Sequence, residues 1–333
     1  MFKTFQGIPF SILELALVNE NGDIKTALEN SLNLAQHAEK WGYHRFWLAE
    51  HHNMPGVASS ATSVLIGYIA ANTKRIRVGS GGIMLPNHSP LVIAEQFGTL
   101  ETLYPNRIDL GIGRAPGTDQ ATAYALRRRM MQEQDTFPEM LAELRSYFED
   151  NEAALVRAIP GSGLDIPIWL LGSSDYSARL SASLGLPFSF ASHFAPQYLH
   201  EALKIYRYQF KPSDKWKEPH VMVAINIIAA ETDDEAEFLA TSLKQQFLHL
   251  AQGIAAKFQP PTKRKFSDYE KALFTKSLDP LTTIIGSKAT VHAKLETLIE
   301  QTDPDEIIIS SPIYDHQKRL RSFEIVAELF DEA

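Results

Sequence analysis

The most informative run of the chain is VMVAINIIAA, residues 221–230, in which every position except Asn226 is apolar. A short run of this kind predicts a strand that is buried on both faces, as in a parallel sheet. An amphipathic helical pattern follows at about residues 233–253, and another precedes the run at about residues 196–210. A buried strand between two helices is typical of an α/β fold with helical crossovers.

The same alternation of strand and helix repeats along the whole chain, at roughly 40 residues per unit. Eight strands are predicted, and this count favours a closed (β/α)8 barrel over an open, doubly wound sheet. We therefore predict a single (β/α)8 TIM barrel over residues 1–333, with an irregular insertion near residues 258–280. The predicted strands are residues 11–17, 45–49, 76–85, 107–112, 168–171, 188–191, 221–230 and 306–310.

The composition excludes several classes of protein. Lys plus Arg is 32 and Asp plus Glu is 40, and the resulting charge of −8 argues against broad nucleic-acid binding. The absence of cysteine rules out disulfides, thiol nucleophiles and Cys-ligated zinc or iron–sulfur clusters. The longest apolar stretch, near residues 64–71, is far too short for a membrane span, and the N-terminal segment does not resemble a signal peptide. We therefore expect a cytoplasmic protein that binds neither membrane nor nucleic acid.

In a (β/α)8 barrel the functional residues lie where strands end and helices begin. The second predicted strand runs into AEHHN, residues 49–53, which places His51 and His52 at such an end. Histidine suits proton transfer near neutral pH, so His51 is a candidate catalytic residue, with a hydrogen-bonded structural histidine as the alternative. A metal site on His51 and His52 is disfavoured, because neither a carboxylate nor a third histidine stands at usable spacing.

The third predicted strand carries VGSGGIM, residues 78–84, and three glycines weaken a strand unless something requires the space. A flat ligand that lies against the bare backbone would explain the glycines. A β-bulge or a bend of the barrel is the other explanation. We favour the ligand.

Two further strand ends suggest a phosphate site. The fourth strand ends in DLGIGRAPG, residues 109–117, where the third glycine of a dinucleotide fingerprint is missing, so a Rossmann site is not predicted. Arg114 on this loop is a candidate for bidentate phosphate binding, or else for a surface salt bridge. The fifth strand ends in GSSDYS, residues 172–177, where a helix start with hydroxyls predicts an anion site or a plain serine cap. The combination with Arg114 favours the anion.

These blocks, with HSP at residues 88–90 and AEQ at residues 94–96 between them, resemble those of the bacterial luciferase-like flavin monooxygenases in order and spacing. The resemblance implies a luciferase-like (β/α)8 barrel that binds reduced FMN and reacts it with O2. By position, His51 matches the active-site histidine beside the flavin, and Gly81 and Gly82 match a pair joined by a cis peptide under the isoalloxazine ring. The phosphate-binding positions of the family match Arg114 and Ser174, with Ser173 and Ser177 beside them.

The resemblance also implies a two-component monooxygenase that acts on a small organic substrate, a separate flavin reductase that supplies reduced FMN, and a homodimer. Gly113 stands where bacterial luciferase has a reactive cysteine, which argues against light emission. A second phosphate-binding arginine would fall on Arg127 or Arg128. The insertion near residues 258–280 is a candidate lid.

Three other functions stay open. Relatives on this barrel use a deazaflavin and transfer hydride without O2, although few basic groups are found for its longer charged tail. A non-catalytic flavin-binding protein is disfavoured because the chain keeps all eight strand–helix units. A metal-dependent hydrolase on His51 and His52 would require a stoichiometric divalent metal, and we expect none. The sequence does not distinguish an aldehyde, a sulfonate, an amine or an aromatic substrate.

Overall fold

The computed structural model of the protein describes residues 2–127 and 136–330. Eight of its strands run parallel and form a closed barrel, because the first barrel strand pairs with both the second and the last. This confirms the predicted (β/α)8 fold. The strands of the described residues are β1 (Thr4–Phe5), β2 (Ile8–Glu14), β3 (Arg45–Leu48), β4 (Arg77–Met84), β5 (Ile108–Gly113), β6 (Ile168–Gly172), β7 (Phe188–Phe190), β8 (Val221–Ala229), β9 (Thr283–Gly286) and β10 (Glu306–Ser310).

Helices connect the barrel strands and cover the outside of the barrel. The first has clear signals at both ends: the Asp23 side chain accepts a hydrogen bond from the backbone N–H of Thr26 at 2.9 Å, and Gly42 ends the helix at φ 95°. The helices are α1 (Ile24–Trp41), α2 (Thr62–Ala71), α3 (Pro90–Leu103), α4 (Gln120–Arg127), α5 (Phe137–Ser146), α6 (Asp175–Leu184), α7 (Leu199–Gln209), α8 (Asp233–Leu239), α9 (Thr241–Ala251), α10 (Asp268–Thr275), α11 (Lys288–Thr302) and α12 (His316–Ala327).

The first barrel strand, β2, lies earlier in the chain than the predicted residues 11–17. Ala16 adopts φ 53°, a left-handed conformation that a strand does not accommodate. The Glu14 carboxylate accepts a hydrogen bond from the backbone N–H of Ala16 at 2.6 Å, which holds the chain in this turn. The strand therefore ends at Glu14, although the apolar pattern continues to Leu17.

Two short strands lie outside the barrel and were missed in the sequence. β1 forms an antiparallel hairpin with β2, and β9 continues the pairing along the end of β8. The predicted insertion near residues 258–280 contains α10. That residues 1–333 form a single domain stays a prediction. No helix within residues 2–127 and 136–330 combines the length and the apolarity that crossing a bilayer requires.

The core has two layers, because side chains of successive strand residues point to opposite faces. The larger layer lies between the barrel and its helices and contains Phe46, Val78 and Ile112. The smaller layer fills the barrel interior, where the rings of Trp47 and Trp169 meet edge to face with centroids 5.4 Å apart. The barrel is thus a packed core rather than a pore.

Buried charges form the floor of the barrel, below the tryptophans. Arg45 donates to Asp109 at 2.8 Å and to Glu306 at 3.1 Å, and Trp47 Nε1 donates to Asp109 at 3.1 Å. Arg77 also donates to Asp109, at 2.6 Å. Burial alone would raise the pKa of Glu306, but the charge of Arg45 and the contacts with His44 and Ser11 together outweigh it and hold that pKa at about 2. The floor closes the barrel at the amino ends of its strands.

Candidate active site

A cavity of about 580 Å³ opens at the carboxyl ends of the barrel strands, where the sequence predicts a site. Every barrel strand, or the loop that follows it, contributes to the cavity wall. The predicted site residues in this wall are His51, Gly81, Arg114, Ser173, Ser174 and Ser177. Gly82 is not among the wall residues in the described part of the chain.

The glycines of β4 allow a close approach between backbones. The Gly81–Gly82 peptide is cis, as the resemblance implies. A Cβ on Gly81 would lie 2.7 Å from Leu13 Cδ1, and a Cβ on Gly82 would lie 2.7 Å from the carbonyl oxygen of Gly111. The pairing of β4 with β5 shifts register after Ser80, which is the strand irregularity that the sequence analysis gave as one explanation of the glycines. Gly81 also faces the cavity, as the other explanation, a flat ligand, requires. Flavin contacts of both glycines stay predictions.

His51 lies on the loop after β3, where its backbone N–H donates to the carbonyl oxygen of Ser59 at 2.9 Å. Burial lowers the pKa of His51 below its usual 6.5, and the Gly117 backbone and the charge of Glu50 offset only part of this effect. The imidazole is therefore neutral near neutral pH. Its Nδ1 is buried and has no hydrogen-bond partner among the described residues. Such a nitrogen can exchange a proton or a hydrogen bond with a ligand.

His52 belongs to a different cluster, which corrects the sequence analysis. Glu50 Oε1 accepts hydrogen bonds from His52 Nε2 at 2.8 Å and from His88 Nε2 at 2.9 Å, and Glu50 Oε2 accepts one from the backbone N–H of Met84 at 3.1 Å. The expectation that no carboxylate or third histidine lies near was wrong for His52. His51 is not part of this cluster. The cluster ties the loop that carries His51 to the end of β4.

The serines and Arg114 meet at the start of α6. The Arg114 guanidinium stacks on the ring of Tyr176, with Cζ 3.8 Å from the ring centroid. Ser174 occupies the N-cap position, yet its hydroxyl makes no capping hydrogen bond with the residues that the structure describes. A Cβ on Gly172 would overlap the Ser177 hydroxyl, so glycine lets this serine approach the strand. The plain-cap explanation for Ser174 is therefore not supported.

The candidates for a second phosphate-binding arginine are not placed in the cavity. Arg127 Nε donates to Asn87 Oδ1 at 3.0 Å, and Arg127 is not one of the described residues in the wall. Arg128 lies outside the described residues. Gly113, the position of the luciferase cysteine, does line the cavity.

The sequence analysis missed His193, which follows β7 and lines the same cavity. Burial, with a smaller contribution from nearby His51, lowers the pKa of His193 to about 4, so this imidazole is neutral. Its Nδ1 is buried without a hydrogen-bond partner in the described part of the chain. Asn226 Nδ2 donates to the His193 carbonyl oxygen at 2.6 Å and holds this loop in place. The position of His193 just beyond a strand end was the available signal.

Two helices cover the cavity from above. α9 contributes apolar side chains, and α10 with the turn after it belongs to the predicted insertion. Together they form what we call the roof, whose residues in the cavity wall are Leu243, Gln246, Phe247, Leu250, Ala251, Leu273 and Ser277. A roof over the strand ends would shield a bound ligand from water.

A buried ion pair completes the wall between β2 and α12. Arg319 Nη2 donates to Glu14 Oε2 at 2.5 Å, and Arg319 Nε donates to the carbonyl oxygen of Ser311 at 2.9 Å. Glu14 Oε1 also accepts hydrogen bonds from the backbone of Ala16 and the hydroxyl of Ser31. Because both charges are compensated, this wall has hydrogen-bonded groups and no net charge.

The fold and the site define a (β/α)8-barrel protein with a ligand cavity at the carboxyl ends of its strands. Residues 9–305 match the family described as luciferase-like monooxygenase, and the chain belongs to this family. It is 53% identical over 333 residues to a luciferase-like monooxygenase of Escherichia coli (strain K12), with 99% of each chain covered. It is 33% identical over 332 residues to an N-acetyl-S-alkylcysteine monooxygenase of Bacillus subtilis (strain 168), with 96% of this chain and 98% of the relative covered.

Solved structures have the same fold. The crystal structure of apo-MsnO8 is 35% identical, with a TM-score of 0.87, and 97% of this chain and 98% of that chain are covered. Two more distant structures share the fold. One is the oxygenating constituent of 3,6-diketocamphane monooxygenase from Pseudomonas putida in complex with FMN, 17% identical with a TM-score of 0.70, covering 96% of this chain and 97% of that one. The other is an F420-dependent secondary alcohol dehydrogenase in complex with an F420–acetone adduct, 13% identical with a TM-score of 0.72, covering 97% and 98%.

Proposed function

We propose that the chain is an FMN-dependent monooxygenase that uses reduced FMN and O2 on a small organic substrate. One observation carries the proposal. A single cavity is lined by Arg114 and the serines at the start of α6, by Gly81 of β4 and by the neutral His51. The distant 3,6-diketocamphane monooxygenase constituent, which has the same fold, holds FMN, and this supports FMN as the cofactor.

The residues of the cavity fit a phosphorylated isoalloxazine. Arg114 and the Ser174 hydroxyl are donors that a phosphate accepts from, and the start of α6 presents backbone N–H groups to an anion. Gly81 presents bare backbone, since a Cβ there would meet Leu13. The phosphate would be held by Arg114, Ser173, Ser174 and Ser177, and the ring would lie along Gly81, at its cis peptide with Gly82.

When bound, FMN would supply the two-electron chemistry and the reaction with O2. His51 would hold or release a proton at the cavity wall, because its imidazole is neutral and its Nδ1 is unpaired among the described residues. The roof would exclude water from the cavity. Light emission is not proposed, since Gly113 provides no thiol.

We also propose a flavin reductase as a transient partner and a homodimer as the assembly. The neighbouring helices α2 and α3 expose apolar side chains, and an exposed apolar face marks an interface. These side chains are Val64, Tyr68, Val92 and Leu103. In sedimentation velocity, the wild type should be a dimer, and a Val64→Glu, Leu103→Glu double variant should shift towards the monomer. A monomeric wild type would contradict this assembly.

A deazaflavin is the alternative cofactor, because an F420-dependent dehydrogenase shares the fold. Its longer charged tail requires additional basic groups. Among the described wall residues the cations are Arg114 and Arg319, and Arg319 is paired with Glu14. This favours FMN. A non-catalytic flavin-binding protein is the other alternative, and the neutral His51 with its buried Nδ1 in the wall favours catalysis over storage.

The deciding experiment titrates the apoprotein with FMN and F420 and then mixes it with photoreduced FMN and O2. We expect FMN to bind more tightly than F420, and the oxidation kinetics of the reduced flavin to change in the presence of the protein. His51→Ala should slow oxidation or turnover while the FMN affinity changes little. His200→Ala, which changes an exposed histidine on α7 outside the cavity wall, is the matched control and should leave both unchanged. Oxidation kinetics identical to those of flavin alone would refute the proposed monooxygenase.

A further inference from the structure

We infer that the substrate is an uncharged, predominantly apolar molecule, and that this cavity discriminates against carboxylates and other anions in its substrate half. The inference rests on the proposed function, because it concerns the part of the cavity that FMN would leave to a substrate. It is carried by the distribution of charge and of apolar surface around the strand ends.

The apolar half of the cavity lies under the roof. α9 and α10 contribute Leu243, Phe247 and Leu273 from above. The loops that follow β2, β3 and β10 contribute the opposite wall, which consists of Leu15, Leu17, Met54, Val57 and Pro312. Apolar side chains on both sides stabilise a ligand by removing its apolar surface from water.

The two cations in the described wall lie on opposite sides of the barrel. Arg114 follows β5, and Arg319 lies on α12 after β10, four strands away around the ring of eight. Arg114 stands beside the serines at the start of α6, where the phosphate of the cofactor would bind. Arg319 donates hydrogen bonds to the Glu14 carboxylate at 2.5 Å and to the Ser311 carbonyl oxygen at 2.9 Å. The substrate half therefore offers an anion no uncompensated positive charge from the described residues.

The remaining polar groups of this half are neutral. Burial lowers the pKa values of His51 and His193, so both imidazoles are uncharged near neutral pH. Asn226, Gln246 and Ser310 add an amide, a second amide and a hydroxyl. These groups can bind a carbonyl, hydroxyl or thioether by hydrogen bonds. They cannot compensate a carboxylate, and burying an unpaired charge is strongly unfavourable.

The experiment compares n-octanol with octanoate, which have the same carbon number and differ in charge. Binding of each is measured by calorimetry on FMN-loaded protein near neutral pH. We expect n-octanol to bind at least about tenfold more tightly than octanoate. Octanoate binding as tight as that of n-octanol, or no binding of either, overturns the inference.

A variant that gains octanoate binding strengthens the test, because a gain of binding cannot result from a failure to fold. Gln246→Lys places an ammonium group in the substrate half and should strengthen octanoate binding about tenfold while n-octanol binding stays within a factor of about two. Gln252→Lys, at the exposed end of the same helix, is the matched control and should leave both affinities unchanged. Unchanged octanoate binding in Gln246→Lys would also overturn the inference.

The two proposals fail in different ways. Loss of FMN binding, measured by flavin fluorescence before any ligand is added, contradicts the proposed function alone. The comparison of n-octanol with octanoate can then be repeated on the protein without FMN, because the roof and the ion pair of Arg319 with Glu14 belong to the chain itself. A preference for n-octanol there would support the charge argument even if the cofactor were different.

Discussion

Polar groups are buried both at the floor of the barrel and at its mouth, by which we mean the cavity at the carboxyl ends of the strands. The two regions differ in how these groups are paired. At the floor, the carboxylates of Asp109 and Glu306 are held by Arg45, and burial of each charge is compensated by a neighbour. At the mouth, His51 and His193 keep a buried Nδ1 without a partner among the described residues. Such nitrogens are not confined to the mouth, since Trp169 Nε1 and His220 Nε2 deeper in the barrel also lack a partner among the described residues. Those of His51 and His193 differ because both residues line the cavity, where a ligand can satisfy them.

The difference separates residues that stabilise the barrel from residues that serve its site. Conservative changes at the floor should cost stability and leave binding intact in the molecules that fold. Changes at the mouth should have the opposite pattern, with large effects on cofactor binding and small effects on unfolding. Each of the following predictions can contradict this division.

The largest expected effect follows Asp109→Asn at the floor. The change removes the negative charge that Arg45 and Arg77 share, and loss of one partner of a buried ion pair costs about 3–5 kcal/mol of unfolding free energy. Urea unfolding measures it, with Asp165→Asn beside Lys215 on the surface as the control, for which we expect less than about 1 kcal/mol. A loss at Asp109 as small as that of the control would show that the floor does not depend on charge pairing.

His193 should make the stability of the mouth depend on pH. Its pKa is about 4 in the folded protein and 6.5 in the unfolded chain, so between these values the unfolded chain alone binds the proton. The free energy of unfolding should therefore fall as pH falls from about 6.5 to 4, by about 2–3 kcal/mol from this residue.

His193→Gln isolates the contribution of this residue. The variant should retain stability at pH values where the wild type loses it, and the difference between the two urea unfolding series should be flat above pH 6.5. His316, whose pKa is also about 4, lowers the unfolding free energy of both proteins alike as pH falls, so its contribution cancels in the difference. Parallel curves over the whole range would mean that His193 titrates normally in the folded protein.

Much of the fold was predictable because its signals are local. Most barrel strands are short, largely apolar runs followed by helices, and the run at residues 221–230 coincides with β8 within one residue. The end of β2 was not predictable from apolarity, since it depends on the hydrogen bond that Glu14 makes with Ala16. β9 was missed because it is an extra strand outside the repeat of eight, between the predicted insertion and α11.

The site was predictable where it lies at strand ends, and unpredictable where it depends on contacts between loops. His51, Arg114 and Ser174 follow their strands directly. His193 does so as well and could have been found by the same rule. The contact of Glu50 with His88 joins residues 38 positions apart, and no sequence spacing predicts a 2.9 Å hydrogen bond between them.

Arg114→Met tests the cation at the mouth. The variant should lose about 10–100-fold in FMN affinity, as expected for a charge-assisted hydrogen bond to phosphate, while riboflavin affinity stays unchanged because riboflavin has no phosphate. Flavin fluorescence quenching measures both. Arg179→Met on α6, where Arg179 pairs with Asp175 at 3.3 Å on the surface, is the matched control and should bind FMN normally. An equal loss for riboflavin would mean that Arg114 supports the cavity rather than the phosphate.

The smallest expected effect compares two serines that occupy the same position on different helices. Ser267 caps α10 with a hydrogen bond from the backbone N–H of Glu270 at 3.3 Å, whereas the Ser174 hydroxyl makes no capping bond within the described residues. Ser267→Ala should therefore cost about 1 kcal/mol of unfolding free energy, and Ser174→Ala less than about 0.5 kcal/mol.

The FMN affinities of the two serine variants should show the reverse order. Ser174→Ala should weaken FMN binding about 3–10-fold, the usual range for one hydrogen bond, and Ser267→Ala should leave it within a factor of about two. If Ser174→Ala destabilised the protein as much as Ser267→Ala and left FMN binding unchanged, Ser174 would be an ordinary cap. The mouth would then have lost one of the groups that distinguish it from the floor, and the phosphate site would rest on Arg114, Ser173 and Ser177.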